Sequence, residues 1–273
     1  MQRFGPVVDV EWLTANLGEP GVVVVDCRYT LTDPEAGERG WLEGHIPGAA
    51  FLSVSRDLAG ELRDGGRDGG RAPLPPAPDF EASARRAGIG EGSKVVAYDE
   101  AGEGGATRLW WLLRHFGHDS VAVLNGGLRA WTEAVGELRS GAEQAAPGDF
   151  VAREREGDTV SIDHVAEGSL RLLDAREPER FRGETEVLDP VAGHVPGARN
   201  VPFHELAPGG RFPDTDELRE RLGEEPFVAY CGSGITATTL LLAAEVAGVE
   251  GRLYPGSWSE WSRRDVQVAT GDD

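Results

Sequence analysis

The sequence predicts an α/β protein of two duplicated domains, each a mainly parallel sheet flanked by helices. Four sequence blocks recur in the same order, and the two copies of each block lie about 130 to 150 residues apart. Between these blocks, short apolar runs alternate with longer helix-forming stretches. Such alternation is typical of parallel sheets, because parallel neighbours need a crossover that a helix commonly supplies.

The repeated blocks also predict where the domains lie. The four pairs are VVVVD 22–26 with LRLLD 170–174, GHIPGA 44–49 with GHVPGA 193–198, KVVAYD 94–99 with PFVAYC 226–231, and NGGLRAW 125–131 with PGSWSEW 255–261. We therefore predict one domain over 1–136 and a second over 158–273. The segment between them, 137–157, is polar and without strong apolar periodicity, which predicts a linker.

The first half begins with the apolar run Val22–Asp26, which predicts a buried strand ending in a carboxylate. The turn 44–49 follows it, and 94–99 predicts a second strand that precedes a helix over 106–116. The segment 64–78, DGGRDGGRAPLPPAP, is too rich in glycine and proline for regular structure. We interpret it as a surface loop, either a tolerated insertion, which we favour, or a segment near the interdomain cleft.

The second half repeats this plan and ends one of its strands at a cysteine. The strand Phe227–Tyr230 is apolar throughout, Cys231 follows it, and a helix is predicted over 236–247. Glycines in the connecting loop let its N–H groups turn inward, and the positive end of the helix faces the same point. Both features stabilise negative charge on sulfur or on a bound anion.

We therefore predict that Cys231 is a nucleophile held in a cradle of backbone amides. The alternative is an inert buried cysteine before an ordinary turn, which the order of strand, glycines and helix disfavours. The predicted cradle residues are Gly232, Gly234, Ile235, Thr236 and Ala237. In the first half, Asp99 takes the position of the cysteine, so that half is predicted to be catalytically inactive.

Composition excludes several classes of partner. The 27 Lys and Arg residues against 47 Asp and Glu residues give a formal net charge of −20. This charge argues against a nucleic acid or an anionic membrane as partner. The two cysteines do not form a disulfide framework or a zinc-site spacing, and no metal is predicted. Residues 1–9 lack a signal-peptide pattern, which predicts a cytoplasmic protein.

The repeated motifs together resemble the rhodanese family of tandem-domain sulfurtransferases. The resemblance runs over about residues 8–267 and rests on HIPGA and HVPGA, NGGLRAW, PGSWSEW and CGSGITA. It implies that Cys231 carries a persulfide, that no cofactor is needed, and that an anionic donor passes sulfur to a thiol or cyanide. A thioredoxin-like or other protein thiol is a further acceptor that it implies.

The CGSGITA loop is similar to that of 3-mercaptopyruvate sulfurtransferases, whereas thiosulfate sulfurtransferases more often carry basic residues after the cysteine. The resemblance makes mercaptopyruvate the predicted donor, with thiosulfate as the alternative. Ser233 matches a hydroxyl that these enzymes place over the substrate carbonyl, although serine is also a common turn residue.

Arg180 matches an arginine that binds the donor anion in both branches of the family, and a surface arginine is the plainer alternative. Mercaptopyruvate enzymes usually carry a second such arginine before the GHVPG block. Here the segment 184–192, ETEVLDPVA, contains none. Arg182 is the substitute that we consider; an extended chain would put it on one face with Arg180, and a helix would separate them.

His45 and His194 hold equivalent places before a Pro-Gly turn, and a structural role is the simple explanation for both. The resemblance implies a part in proton handling for the first-domain histidine, His45, with Asp33 as its nearest acidic candidate. A cysteine-dependent phosphatase is disfavoured, because Ala237 stands where such an enzyme needs an arginine. A non-enzymatic persulfide carrier would use the same cysteine and stays open.

Overall fold

The structure, a computed structural model, describes residues 4–272, and these divide into two compact units. The first unit comprises 4–59, Pro75–Arg155 and Pro208–Phe212, and the second comprises Gly60–Leu74, Glu156–Ala207 and 213–272. Each unit therefore includes a short segment from the other half of the sequence. The predicted linker over 137–157 is divided differently, since its residues up to Arg155 cluster with the first unit.

The first unit is a layered α/β structure. Its strands are β1 (Val7–Val8), β2 (Val22–Asp26), β3 (Ala50–Phe51), β4 (Lys94–Tyr98) and β5 (Val121–Leu124). Its helices are α1 (Val10–Asn16), α2 (Ala36–Glu43), α3 (Ala77–Arg86), α4 (Gly105–His115) and α5 (Gly127–Ala134). In the described chain the five strands form one parallel sheet in the order β1-β5-β4-β2-β3.

The second unit repeats this arrangement with shorter strands. Its strands are β6 (Leu172–Asp174), β7 (Arg199–Asn200), β8 (Phe227–Tyr230) and β9 (Gly251–Leu253). Its helices are α6 (Ile162–Ala166), α7 (Pro178–Phe181), α8 (Phe203–Leu206), α9 (Thr215–Leu222), α10 (Ala237–Ala247) and α11 (Ser257–Trp261). Within residues 4–272, its four strands form a parallel sheet in the order β7-β6-β8-β9.

The predicted fold class is confirmed, because both sheets are parallel and both lie among helices. Apart from the exposed Lys94 at the start of β4, the central strands β4 and β8 are apolar and buried, as is typical of parallel strands covered on two faces. Register then positions the functional loop: Asp174 of β6 pairs with Tyr230 of β8, and Cys231 follows directly. No helix within residues 4–272 combines the length and apolar character that crossing a membrane requires.

Candidate active site

Cys231 lies where β8 ends, and its side chain is buried at 2% exposure. The N–H of Gly234 donates to its Sγ at 3.1 Å. The loop then continues through Ile235 and Thr236 into α10, which begins at Ala237. A backbone donor and a helix N-terminus thus lie on the same short loop as the sulfur, an arrangement that favours negative charge there. Cys231 is one of two free cysteines, both buried, in the described chain.

The two loop glycines have different roles. Gly234 has a φ of +77°, and a Cβ there would lie 2.5 Å from the carbonyl oxygen of Pro255. Gly232 does not have a positive φ; its Cβ would instead lie 3.1 Å from Nη2 of Arg71 and 3.3 Å from Nη1 of Arg180. Gly234 therefore has a backbone angle that favours glycine, whereas Gly232 makes room for two guanidinium groups.

Ser233, between these glycines, is buried at 8% exposure. Its residue type and its place two positions after the nucleophile are the features on which its predicted contact with the substrate carbonyl rests. That contact stays a prediction.

A cluster of arginines and carboxylates lies beside the loop. Arg180, on α7, binds Glu186 through Nε and Nη2 at 2.8 to 3.2 Å, and its Nη2 lies 3.5 Å from Asp189. Arg71 also forms an ion pair with Asp189, and Arg263 donates to the same carboxylate at 2.7 Å. The side chains of Glu186 and Asp189 are 3% and 0% exposed, so these pairs act in a poorly solvated environment.

Arg182 pairs with a carboxylate other than those of the arginine cluster. Arg180 lies on α7, and Arg182 directly follows the last residue of that helix in a helical conformation, so the two side chains diverge. Its Nε and Nη2 donate to Glu184 at 2.8 and 3.0 Å, and this hydrogen bond raises the pKa of Arg182 and lowers that of Glu184. The interpretation of Arg182 as a substitute for the missing arginine is therefore corrected: it forms a surface pair.

Arg71 belongs to Gly60–Leu74, which we call the arm, and the arm packs within the second unit. Gly69 N–H donates to Oε1 of Glu260 at 3.2 Å, and Arg71 N–H donates to Oγ of Ser259 at 2.9 Å. Gly70 has a φ of +76°, and a Cβ there would lie 2.5 Å from the same Ser259 Oγ. The arm is thus a docked element that brings Arg71 beside the cysteine loop, and its interpretation as a tolerated insertion did not anticipate these contacts.

Ser257 holds the backbone of Cys231 through its side-chain hydroxyl. Its Oγ accepts the N–H of Cys231 at 3.2 Å and donates to the carbonyl of Tyr254 at 3.0 Å. It has a φ of +52°, which is unusual for a residue with a side chain. The equivalent residue of the first half is Gly127, with a φ of +60°. The sequence carried a signal: Ser257 takes the place of Gly127 directly after a glycine that the two blocks share.

We expect Ser257→Ala to destabilise the second unit by about 1 to 3 kcal/mol, because the buried N–H of Cys231 loses its acceptor. Donor turnover should fall with it, since the loop that holds the sulfur loosens. Urea unfolding and donor kcat/KM measure both effects. Ser262→Ala is the matched control, because its hydroxyl is buried with no hydrogen-bond partner in the described residues. Equal losses in both variants would contradict the role of Ser257.

Two buried ion pairs hold equivalent loops in the two units. Asp26 and Asp174 each end a strand and accept the backbone N–H of Arg28 and Arg176 at 2.9 Å. Each arginine folds back onto its aspartate, with Nη2 at 2.7 Å, and also donates to the carbonyl of the glycine before the repeated histidine. These contacts give the four residues a structural role.

The structure gives His45 and Asp33 different partners. Nδ1 of His45 donates to the carbonyl of Trp41 at 2.7 Å, and its Nε2 lies 3.5 Å from Glu143. Asp33 is bound by Arg39 at 2.5 Å, and this hydrogen bond lowers the pKa of Asp33. The predicted pairing of Asp33 with His45 is therefore corrected, with Glu143 as the carboxylate near the imidazole. Proton handling by His45 remains a prediction.

His194 has the structural contacts expected of it. Its Nδ1 lies 2.8 Å from the carbonyl of Phe181, and its ring stacks on the Phe181 ring with centroids 3.8 Å apart. Its backbone exchanges hydrogen bonds with Ala269. The side chain is fully buried. His194 thus connects the segment around Ala269 to the GHVPGA turn of the second unit.

In the first half, the loop equivalent to the cysteine loop binds the carboxylate of Asp99. Asp99 accepts N–H groups from Gly102, Gly104 and Ala106 at 2.7 to 3.1 Å. Burial, with the nearby Glu103 carboxylate, raises the pKa of Asp99 to about 7. An external anion would meet a carboxylate here instead of free amides, which supports the prediction that this half is inactive.

Asp99 should make the first unit less stable as pH rises from about 4 to 7. Its folded pKa of about 7 exceeds the usual unfolded value of about 3.9, so only the folded state keeps the proton in this window. The stabilisation from this proton is therefore fully present below the unfolded pKa of about 3.9 and is lost as pH rises to the folded pKa of about 7. Hydrogen exchange of β4 and β5 at pH 5 and 8 measures it. Asp99→Asn should flatten the change; an unaltered pH dependence would contradict the assignment.

Among residues 4–272, no group of three or more His, Cys, Asp or Glu side chains is arranged to hold a metal ion. What the site offers is a buried sulfur, a backbone donor to it, and guanidinium groups beside the next residue. This combination suits nucleophilic attack on a small anionic donor.

Comparisons with known proteins agree with this chemistry. The model of the rhodanese-like domain matches residues 9–134 and 161–264. A Pseudomonas aeruginosa protein, provisionally named a 3-mercaptopyruvate sulfurtransferase, is 41% identical over 97% of this chain and 98% of its own length. A Mycobacterium tuberculosis protein, provisionally named thiosulfate sulfurtransferase SseB, is 39% identical over 96% of both chains.

A solved structure shows the same architecture. The crystal structure of the 3-mercaptopyruvate sulfurtransferase SseA from Escherichia coli covers 94% of this chain and 100% of its own, with a TM-score of 0.80 and 32% identity. The domain model matches both halves, and the curated relatives match nearly the whole chain. This protein therefore belongs to the rhodanese family, with two rhodanese-like domains in tandem.

Proposed function

We propose that this protein is a sulfurtransferase that takes a sulfane sulfur from 3-mercaptopyruvate as a persulfide on Cys231 and passes it to a thiol or cyanide. The observation that carries the proposal is the position of Cys231: it is the buried residue at the end of β8 whose Sγ accepts the N–H of Gly234. Relatives named as 3-mercaptopyruvate sulfurtransferases, at 34 to 41% identity, add support.

The chemistry proceeds in two displacements. The Cys231 thiolate attacks the donor sulfur, an S–S bond forms, the donor C–S bond breaks, and the electron pair leaves with carbon as the enolate of pyruvate. The enolate then takes a proton from solvent or a neighbouring donor. An acceptor thiolate or cyanide attacks the outer sulfur of the persulfide and releases the Cys231 thiolate. Such double displacement predicts ping-pong kinetics.

The loop and the arginines stabilise different negative charges in this reaction. The Gly234 N–H, which contacts Sγ, stabilises negative charge on the reacting sulfur. Arg180, whose Nη1 approaches Gly232, binds the donor's anionic group. Ser233 donates its hydroxyl to the carbonyl oxygen as the enolate develops. The overall charge of −20 makes these local cations necessary, because the protein's field repels an anionic donor.

Thiosulfate is the second candidate donor, and one observation favours it. The segment 184–192, in which mercaptopyruvate enzymes usually carry an arginine, contributes the carboxylates Glu186 and Asp189 to the arginine cluster. The relative from Mycobacterium tuberculosis is provisionally named for thiosulfate. With this donor the S–S bond of thiosulfate breaks, and sulfite leaves in place of the enolate.

The test is steady-state kcat/KM for 3-mercaptopyruvate and for thiosulfate, with cyanide as acceptor and Cys231→Ser protein as the blank. We expect a preference for mercaptopyruvate. A preference for thiosulfate would replace the donor and keep the persulfide mechanism. Turnover of neither donor, together with uptake of sulfur from a desulfurase, would identify a persulfide carrier instead.

The acceptor and the compartment follow from the same chemistry. We propose a small thiol or a thioredoxin-like protein thiol as the physiological acceptor, because a persulfide is released by thiolate attack. We place the reaction in the cytoplasm, where reducing conditions keep thiols such as Cys27 and Cys231 free.

A further inference from the structure

We propose that Arg71, carried by the arm, is a second donor-binding residue of the Cys231 site and determines its specificity for anionic donors together with Arg180. This inference rests on the sulfur transfer proposed above and adds a residue that lies about 160 positions before the nucleophile in the sequence. It supplies the cation that the segment 184–192 lacks.

The geometry of Gly232 is the main argument. Nη2 of Arg71 and Nη1 of Arg180 lie 3.1 and 3.3 Å from the position of a Cβ built on this residue. Two guanidinium groups therefore converge on the residue that directly follows the nucleophile. An anionic oxygen beside Gly232 is within reach of both, because charge-assisted N–H···O contacts span about 2.7 to 2.9 Å. Gly232, which has no side chain, leaves this approach open.

Arg71 and Arg180 each bind a protein carboxylate through some of their guanidinium nitrogens and direct another nitrogen towards Gly232. Arg71 pairs with Asp189 through Nη1 and presents Nη2 to Gly232. Arg180 binds Glu186 through Nε and Nη2 and presents Nη1. A planar guanidinium has five donors in a fixed fork, so one carboxylate does not exhaust it. The carboxylates thus fix the orientation of both groups before an anion binds.

The arm holds Arg71 in this place through its backbone. Ser259 and Glu260 of α11 accept N–H groups of Arg71 and Gly69, and Gly70 packs against the carbonyl of Gly256 with no room for a Cβ. The Arg71 side chain is 22% exposed, so it remains accessible to a small solute. A preorganised, partly buried cation loses little conformational entropy when it binds an anion.

Arg263 offers a matched comparison within the same cluster. It donates to the same Oδ1 of Asp189 that Arg71 contacts, and its side chain is 20% exposed against 22% for Arg71. It also donates to the carbonyl of Ser259 and lies beside Gly66 of the arm, whereas the groups that approach Gly232 are Arg71 and Arg180. Removing Arg263 therefore loosens Asp189 in the same way without removing a group beside the loop.

The experiment compares Arg71→Ala, Arg71→Lys and Arg263→Ala in two assays. The first measures the rate constant for loading sulfur onto Cys231 from each donor, and separately the rate of sulfur transfer to acceptor. The second measures how well pyruvate or sulfite protects Cys231 from alkylation by iodoacetamide, which needs no turnover. Thermal unfolding of each variant checks that the fold persists.

We expect Arg71→Ala to lower the donor step about 10- to 100-fold, the loss typical of a hydrogen bond to a charged group, and to leave the acceptor step within about twofold. Anion protection should weaken in parallel. Arg71→Lys should recover part of both effects. Arg263→Ala should change the donor step by less than about threefold, because Arg71 and Arg180, and not Arg263, are the groups nearest to Gly232.

Equal losses in Arg71→Ala and Arg263→Ala would assign the effect to Asp189 and overturn the proposal. Unchanged anion protection in Arg71→Ala would also overturn it. If the wild-type protein transfers sulfur from neither donor, the proposed function fails, while the alkylation assay still decides whether Arg71 binds anions at Cys231. The two failures are therefore distinguishable.

Discussion

Cys231→Ser is expected to abolish sulfur transfer, with a loss of at least about 10⁴-fold in kcat/KM, because serine cannot form a persulfide. The substitution keeps the size of the side chain and the contact with the Gly234 N–H, so the fold should persist. Steady-state rates with both donors measure the loss. Mass spectrometry of the donor-treated protein should show the gain of one sulfur in the wild type and no gain in the variant.

Cys27 is the matched control for this prediction. It is fully buried, and burial, with the charges of Asp26, Asp99 and Asp57, raises its pKa well above the usual value. The neutral thiol is a poor nucleophile. Cys27→Ser, or Cys27→Ala if a buried hydroxyl weakens the fold, should therefore retain sulfur transfer. Loss of activity in a folded Cys27 variant, with Cys231 unable to gain sulfur, would exchange the roles of the two cysteines.

The sequence was sufficient for the fold because its signals are local. Apolar runs such as Val22–Asp26 and Phe227–Tyr230 form the central strands with the predicted limits, and the helix predicted over 236–247 begins one residue later. Cys231 was likewise identified from its immediate neighbours. A strand, a glycine with positive φ and a helix are all encoded within a short stretch of chain.

The arm could not be placed in this way. Its sequence lacks apolar periodicity, and its position depends on hydrogen bonds to Ser259 and Glu260, which lie about 190 residues away in the sequence. Its content of glycine and proline indicated a loop but not what the loop contacts. The importance of Gly70 and Arg71 arises only when α11 is in place. Long-range docking of an irregular segment has no local signature.

The two halves differ in what occupies the loop that follows the equivalent strand. Both halves form the loop after the equivalent strand, β4 or β8. In the first half Asp99 occupies its own amide cradle, whereas in the second half the Gly234 amide contacts the sulfur of Cys231. The loop thus binds an internal carboxylate in the first half and contacts the cysteine sulfur in the second. The asymmetry was visible in the sequence, and its hydrogen bonds give the physical reason.

Arg180→Ala is expected to lower the rate of donor sulfur loading about 10²- to 10³-fold and to leave the acceptor step nearly unchanged. The donor's anionic group loses a charged partner, and truncation of a buried charge pair typically costs about 2 to 5 kcal/mol. Glu186, 3% exposed, also loses its bidentate partner and keeps Arg176 at 3.6 Å. Single-turnover loading of Cys231, followed by acceptor addition, separates the two steps.

Arg180→Lys distinguishes binding from support of Glu186. Lysine keeps the charge that Glu186 needs but loses the fork that reaches Glu186 and Gly232 together, so stability should recover more than donor loading does.

The double variant Arg71→Ala/Arg180→Ala should lose less donor loading than the product of the single losses, because both side chains contact Asp189 and serve one anion. An Arg180→Ala protein with wild-type donor kcat/KM would remove Arg180 from the site, and fully multiplicative losses would mean that the two arginines act on separate steps.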